Sequence, residues 1–355
     1  MSKLGKMLEL EIFGVSHGEY IGATLTGLPK GIEVDTEFIK EMLSKRRPQG
    51  LFETKRVEND NFIFTSGVKD SLTDGEPLTI KIMNENTHSS DYIDLKDVPR
   101  PSHADYPVYI KEKGENDYRG GGHTSARLTA PIVALGAVVI KALLKKGIII
   151  KSHIKQVGNI YDDTLLTGDK EILDNKYHTI LDLDEKIDKL LEEVIKNQKS
   201  IGGSIETEIL NVPVGLGEPW FESFDGVMTN AMFSIPAVKA VEFGLGKNFN
   251  NGIESNDEYF VKEGKVVISP NNNGGVLGGY TSGAPVVFTT TFKPIASIST
   301  EQNSVNLKTM EEVKLTIKGR HDPFILRRAL PIVDSMASFV VLDFYMREFG
   351  RDSIK

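Results

Sequence analysis

The sequence predicts an α+β fold in a single domain. Three observations carry that prediction. Segments in which apolar side chains alternate with a period of two, the mark of half-buried strands, recur along the chain. Other segments space their apolar residues as helices do, and two of these are long. No fixed-period repeat or low-complexity linker divides the 355 residues, and 39% of them are apolar, Tyr included, enough for a sizeable core.

Residues 8–13 (LELEIF) alternate apolar and acidic side chains and read as a strand. Residues 35–45 read as a short helix with Phe38, Ile39, Met42 and Leu43 on one face. Residues 61–68 and 78–83 read as two strands joined around Asp74-Gly75. A buried helix is predicted over 124–146, opening on small hydroxyl residues and closing on Lys145, Lys146 and Gly147. A strand then begins at 147–150. Residues 161–200 are acidic and glycine-poor. There Ile187, Leu190, Leu191, Val194 and Ile195 recur at helical spacing, which predicts an amphipathic surface helix on a peripheral insert. Residues 204–214 return to strand alternation, and 323–349 read as a final long helix bent at Pro331.

Forty-two Lys and Arg stand against fifty Asp and Glu, a net charge of −8. That balance counts against a nucleic-acid coat and a membrane-surface binder. Without cysteine there is no disulfide, thiolate metal site or thiol nucleophile. Residues 1–11 lack the apolar run of a signal peptide, and the longest apolar stretch, 128–140, is shorter than the ~20 residues a bilayer needs. The expectation is a cytoplasmic protein with neither a membrane nor a nucleic-acid partner.

Arginine is the scarcer cation, 11 residues in all. Six of them sit in four short segments rich in Gly, Pro or His: Arg46 and Arg47 (KRRPQG), Arg100 (PRPSHADY), Arg119 and Arg127 (DYRGGGHTSAR) and Arg320 (GRHDP). A guanidinium grips phosphate or carboxylate bidentately. An acidic protein that keeps its arginines beside glycines suits a small polyanion, against the plainer reading of surface charge and turn glycines. Arg119 leads into three glycines whose backbone N–H groups can approach an anion. Residues 271–283 form a second glycine cluster. Neither matches a Walker A loop or a dinucleotide fingerprint.

His17, His103 and His321 lie in loops of this kind, where a proton donor is useful. Asp322 has two readings, a base or the N-cap of the helix that follows. Residues 14–18 (GVSHG) fit the hydrolase pattern G-x-S-x-G. That elbow needs a helix after it, and 20–32 hold too many glycines and a proline for one. A metal site built from His17, His103, Asp105, His321 and Asp322 lacks the i, i+4 helical pair of a zincin; no metal is expected.

The ordered set GVSHG (14–18), KRRP (45–48), TSGV (65–68), SSDY (89–92), RPSHADY (100–106), DYRGGG (117–122), SAR (125–127), GLGEP (215–219), SIPAVK (234–239), GGVLGG (274–279), KPIASI (293–298) and GRHDP (319–323) resembles the chorismate synthase family over about residues 5–343. The resemblance implies a layered sandwich with helices packed between antiparallel sheets, assembled as a homotetramer. It implies the anti-1,4-elimination of phosphate from 5-enolpyruvylshikimate 3-phosphate to give chorismate. The reaction needs reduced FMN yet makes no net redox change, the flavin being thought to lend an electron and take it back. An external flavin reductase drawing on NADPH, or another source of reduced FMN, would be a partner.

By the same resemblance His17 would meet the leaving phosphate, His103 would sit by the flavin, and Asp322 would act as base through it. Arg320 would contact substrate or flavin. Arg46, Arg47, Arg119 and Arg127 would hold substrate anions. Flavin-contact positions fall on His123, Thr124, Ser125, Pro236, Ala237, Gly278, Lys293, Pro294, Ile295, Ala296 and Ser297. The chain departs from the family pattern at Val15, Phe52, His123-Thr124, Leu128 and Lys199, where Glu, Arg, Arg-Ser, Glu and an acidic residue are usual. Two other readings stand beside this one. A flavoprotein with net redox chemistry would turn over a nicotinamide cofactor, and the chain has no dinucleotide fingerprint. A divergent paralogue would bind flavin or an anion with weak or no turnover.

Overall fold

A computed structural model describes residues 3–48, 52–53, 58–85, 95–162, 172, 175–317 and 322–355. The first strand, β1 (Glu9–Gly14), turns back antiparallel onto β2 (Tyr20–Thr26), pairing Glu9 with Thr26 and Gly14 with Ile21. Helix α1 (Thr36–Lys45) starts where the Asp35 carboxylate accepts the backbone N–H groups of Glu37 at 3.0 Å and Phe38 at 3.1 Å, a side-chain N-cap. It buries Ile39, Met42 and Leu43. Strands β3 (Phe62–Ser66) and β6 (Leu78–Met83) pair as expected. Between them β4 (Val68–Lys69) and β5 (Leu72–Thr73) make a small hairpin. Its turn is Asp70-Ser71, both at positive φ, the geometry a two-residue hairpin loop requires. Asp74-Gly75 follows β5 and is not the turn. The four main strands form a sheet in the order β1-β2-β6-β3.

Helices α2 (Asp105–Lys111) and α3 (Thr129–Lys145) come next. The predicted helix start at 124 is displaced to Thr129. Ser125 is extended (φ −71°, ψ 136°) and separates two short 3₁₀ turns, Gly122–Thr124 and Ala126–Leu128. Then follow β7 (Ile149–Val157), β8 (Ile160–Tyr161), α4 (Asp184–Lys196), β9 (Gly203–Leu210), α5 (Phe224–Phe233) and β10 (Val238–Phe243). Strand β9 stops short of 214 because Asn211 takes φ 60° and Pro213 follows. A short helix α6 (Gly252–Ser255) precedes β11 (Glu258–Lys262), β12 (Lys265–Ser269), β13 (Val276–Leu277), β14 (Tyr280–Thr281), β15 (Val286–Phe292), β16 (Gln302–Asn306) and β17 (Glu311–Leu315). The second large sheet has the order β10-β15-β9-β7-β8, antiparallel throughout.

The last helix, α7 (Leu326–Phe349), runs unbroken through Pro331. It lies on β7 and β9, α3 lies on β2 and β6, and the two helices pack on each other. The layers are therefore sheet, helix, helix, sheet, an α+β sandwich with helices between antiparallel sheets. Gly136 lets the two helices approach: a Cβ there would stand 2.3 Å from the Cβ of Ser335. Ala126–Lys145 and Leu326–Phe349 are long and apolar enough to cross a membrane by length and composition. They are 83% and 89% buried inside the fold, so the core uses their apolar surface. Helix α4 buries Ile187, Leu191 and Val194 of its predicted apolar face and leaves Glu192 and Glu193 exposed, while Leu190 is only partly buried and Ile195 is exposed at its edge.

Candidate active site

Residues 14–18 form the tip of the β1–β2 hairpin. Asn84, just after β6, holds this tip by donating Nδ2 to the carbonyls of Val15 (3.2 Å) and Gly18 (2.9 Å). A strand, not a helix, follows the G-x-S-x-G pattern, so it makes no nucleophile elbow. The Ser16 amide donates to the Gly122 carbonyl at 3.3 Å, and the His17 ring lies on Gly120. A Cβ at Gly120 would stand 2.7 Å from that ring and 3.1 Å from Ser16 Oγ, and its φ is +65°. Only glycine fits there. The glycine loop is thus pressed against the first histidine.

The second histidine belongs to a fork of charges ahead of α2. Both Asp105 carboxylate oxygens accept from Arg100, from Nε at 2.7 Å and Nη2 at 2.8 Å. Asp105 Oδ1 also meets His103 Nδ1 at 2.6 Å. Burial works against the Asp105 charge, but the hydrogen bonds from Arg100 and His103 outweigh it and hold the carboxyl well below the usual carboxylate range. Arg100 Nη2 reaches on to the Gly120 carbonyl at 2.7 Å. The two histidine loops and the glycine loop are therefore one unit.

The candidate anion-binding arginines divide. Arg46 is buried at the end of α1. Its guanidinium donates to Thr129 Oγ1 at 3.0 Å, to the Ala126 carbonyl at 3.1 Å and to Asp60 Oδ2 at 3.4 Å. Burial pushes it down to about 9, with Asp60 pulling the other way. Arg127 pairs with the same buried Asp60 and donates to Asn84 Oδ1 at 3.2 Å. These two arginines brace the start of α3. Arg47 donates to the Asn59 carbonyl. Arg119 is partly exposed and grips Asp117 through two nitrogens, at 2.8 and 2.7 Å.

Asp322 pairs with Arg328, whose Nε donates to the Arg46 carbonyl at 3.0 Å. The N-cap position of α7 is Ile325, without a side-chain cap bond. The capping reading of Asp322 is therefore not realised, because the helix starts later than the proline suggests. Arg320 and His321 lie outside the described residues.

The flavin-contact candidates are partly gathered. The Lys293 amide donates to the Ala237 carbonyl at 2.9 Å, and its Nζ donates to the Ser102 carbonyl at 2.6 Å. Ile295 accepts Ser200 Oγ at 2.7 Å, and the next amide, Ile201, donates to Pro323 at 2.9 Å. Pro236 and residues 293–297 thus lie between the His103 loop and the approach to Asp322. His123 and Thr124 are exposed on the first 3₁₀ turn, beside Ser125. The glycine loop meets that turn, not the N-terminus of α3. Gly278 stands apart: the neighbouring Gly279 carbonyl accepts the first amide of α5, Phe224, at 2.8 Å, while Pro236-Ala237 follow the other end of that ten-residue helix, about 15 Å away. These contacts therefore do not bring it to the others.

Ser16 Oγ, 4% exposed as a residue, has no hydrogen-bond partner among the described residues. A buried orphan hydroxyl beside His17, a glycine cradle and a lysine at the rim suit a polar, anionic ring ligand such as FMN. Among the described residues no group of three or more His, Asp or Glu is arranged for a metal ion. Reasoning from sequence missed Asp60 and Arg328 as members of the site, and met Arg100 only as a loop arginine and Asp105 only as a metal ligand weighed and set aside. Arg100 and Asp105 flank His103 in one motif, which was signal enough; nothing local marks Asp60. At Phe52, one of the departures, the Lys176 ammonium stands 4.8 Å over the ring. A cation from another segment thus occupies that neighbourhood.

The family model described as chorismate synthase matches residues 8–346. A chorismate synthase of Thermococcus gammatolerans is 42% identical over 345 residues, 97% of each chain. That of Pyrococcus abyssi is 43% identical over 344 residues, 96% of each. A crystal structure of a chorismate synthase superposes with a TM-score of 0.75 at 28% identity, covering 98% of this chain and 94% of the other.

Proposed function

The chain belongs to the chorismate synthase family, and from that membership we propose the chemistry of its site. It is a carbon–oxygen lyase that eliminates phosphate from 5-enolpyruvylshikimate 3-phosphate, anti and 1,4, to give chorismate, the last common step of the shikimate pathway. One observation carries the assignment to named residues. A chain of contacts runs from Asp322 through Arg328 to Arg46, then by way of Ala126-Arg127 to Asn84, to Val15 and Gly18 on either side of Ser16-His17, to Gly120 under the His17 ring, to Arg100, and by way of Ser102-His103 to Lys293. It returns through Ile295, Ser200 and Ile201 to Pro323.

Within this ring, Lys293, Ala237, Thr124, Ser125 and residues 294–297 would hold reduced FMN. When bound, FMN supplies a transiently lent electron without net redox change. His17, steadied on Gly120, offers a proton to the leaving phosphate. His103 would sit by the flavin. Asp322, paired with Arg328, would serve as the base that acts through the flavin. Arg119 and Arg47 meet the substrate's anionic groups, while Arg46 and Arg127 hold the wall and add positive field. His123→Arg is expected to tighten FMN above pH 7, since a guanidinium stays charged there.

The reduced flavin comes from an external reductase using NADPH or from another source. The chain works in the cytoplasm as a single domain, with the exposed acidic face of residues 161–200 peripheral to the site, although Ser200 at the end of that segment reaches Ile295. It assembles as a homotetramer. Trp220, Phe221 and Ile253, exposed by 85, 94 and 95%, and the bare β11–β12 ribbon with Tyr259, Val261 and Val266 support burial against further copies. Purified protein given reduced FMN and substrate should release phosphate and chorismate together, and His103→Ala should lower turnover by about 10²-fold. Binding of FMN with neither product would reduce the chain to a flavin-binding paralogue.

A further inference from the structure

Asp105 has no role in the chemistry described so far, yet both oxygens of its carboxylate are engaged by Arg100 and one of them also by His103. Oδ2 accepts Arg100 Nε at 2.7 Å and the Arg100 backbone N–H at 2.9 Å. Oδ1 accepts Arg100 Nη2 at 2.8 Å and faces His103 Nδ1 at 2.6 Å. A guanidinium only donates, and an ionised carboxylate only accepts. An unprotonated Nδ1 at 2.6 Å would set two lone pairs against each other, so the proton lies on Nδ1. The 3.2 Å approach of Arg100 Nη2 to Nδ1 is then two donors converging on one oxygen. Among the described residues nothing engages Nε2.

We propose that Asp105 is a positioning residue. It fixes the proton of His103 on Nδ1 and presents Nε2 to the bound ligand. Through Arg100, aligned by the same carboxylate, it also holds Gly120 and the His17 ring lying on it. One clamp thereby sets both histidines. The inference rests on the reading of His103 as a site histidine, because only then does the orientation of Nε2 bear on turnover.

The test is nitrogen NMR on the full-length protein with labelled histidine, the His103 signals being assigned by their loss in His103→Gln. At a pH where the ring is neutral, wild-type His103 should carry its proton on Nδ1. Asp105→Asn should scramble that tautomer and lower kcat by roughly 10²-fold, the scale of a misaligned proton donor, with KM and FMN affinity within about threefold. A wild-type proton on Nε2 overturns the proposal, and so does an Asp105→Asn protein with unchanged tautomer and kcat, or one whose loss falls on KM alone. The wild-type spectrum needs no Asp105 variant to fold. If His103→Ala keeps full turnover, the reading of His103 fails instead, while the tautomer still reports on the clamp.

Discussion

Asp322 can be read two ways from sequence, as an N-cap or as a base, and the structure removes the first. An aspartate before a proline and a helix is a natural N-cap, and α7 declines the offer by starting at Leu326. What holds Asp322 is Arg328. Asp322→Asn should therefore lower turnover by about 10²-fold or more, with FMN still bound. A normal turnover number in the folded variant would remove Asp322 from the mechanism.

Asp334 makes a different prediction. Part of the residue stays accessible, but its carboxyl faces β7, where Ser152 Oγ donates to it. Burial pushes it up to about 7, opposed by that hydrogen bond. Its native pKa is raised above the unfolded value, so the native state binds the extra proton between about pH 4 and 7. Stability from this group is therefore lost as pH rises through that window. Asp334→Asn should flatten the pH dependence of the melting temperature between pH 4 and 8; an unchanged slope would contradict the assignment.

At the scale of elements, legibility followed pattern strength. Helix α1 was legible because a cap and an apolar face coincide, Asp35 with Ile39, Met42 and Leu43, and α4, which has no side-chain cap, by its 187–195 spacing alone. Strand β2 (YIGATLT) was not, since Gly22 and the glycines and proline after it masked its alternation. A loop reading of the His103 motif hid α2, with Pro107 inside it. The start of α3 was misplaced because Ser125 looks like a helix opener and serves only a 3₁₀ turn. Gly136, unremarkable in sequence, sits at the α3–α7 contact. Gly136→Ala would place its Cβ 2.3 Å from that of Ser335 and force the helices apart. A loss of about 1–3 kcal/mol is expected in chemical denaturation, and an unaffected midpoint would mean the layers slide freely. On the far side, Glu192→Gln with Glu193→Gln on the exposed face of α4 should keep turnover within about twofold.

At the scale of the whole molecule, the layered class was legible by resemblance, and the site motifs by their glycine, arginine and histidine content. What sequence order could not convey was partnership across distance. Asp60 binds Arg46 and Arg127 from 14 and 67 residues away, and Ser200-Ile201 bridge residues 295 and 323. Such contacts depend on how two sheets close around two helices, and no local pattern records that.

The central claim is a lyase that needs reduced flavin and does not consume it. The most direct measurement is anaerobic: a known small amount of reduced FMN, no other reductant, and excess 5-enolpyruvylshikimate 3-phosphate. The account predicts many chorismates and equal phosphate per flavin, with the flavin still reduced when substrate is exhausted. One product per flavin oxidised, or phosphate release that proceeds equally well with oxidised FMN, would contradict it.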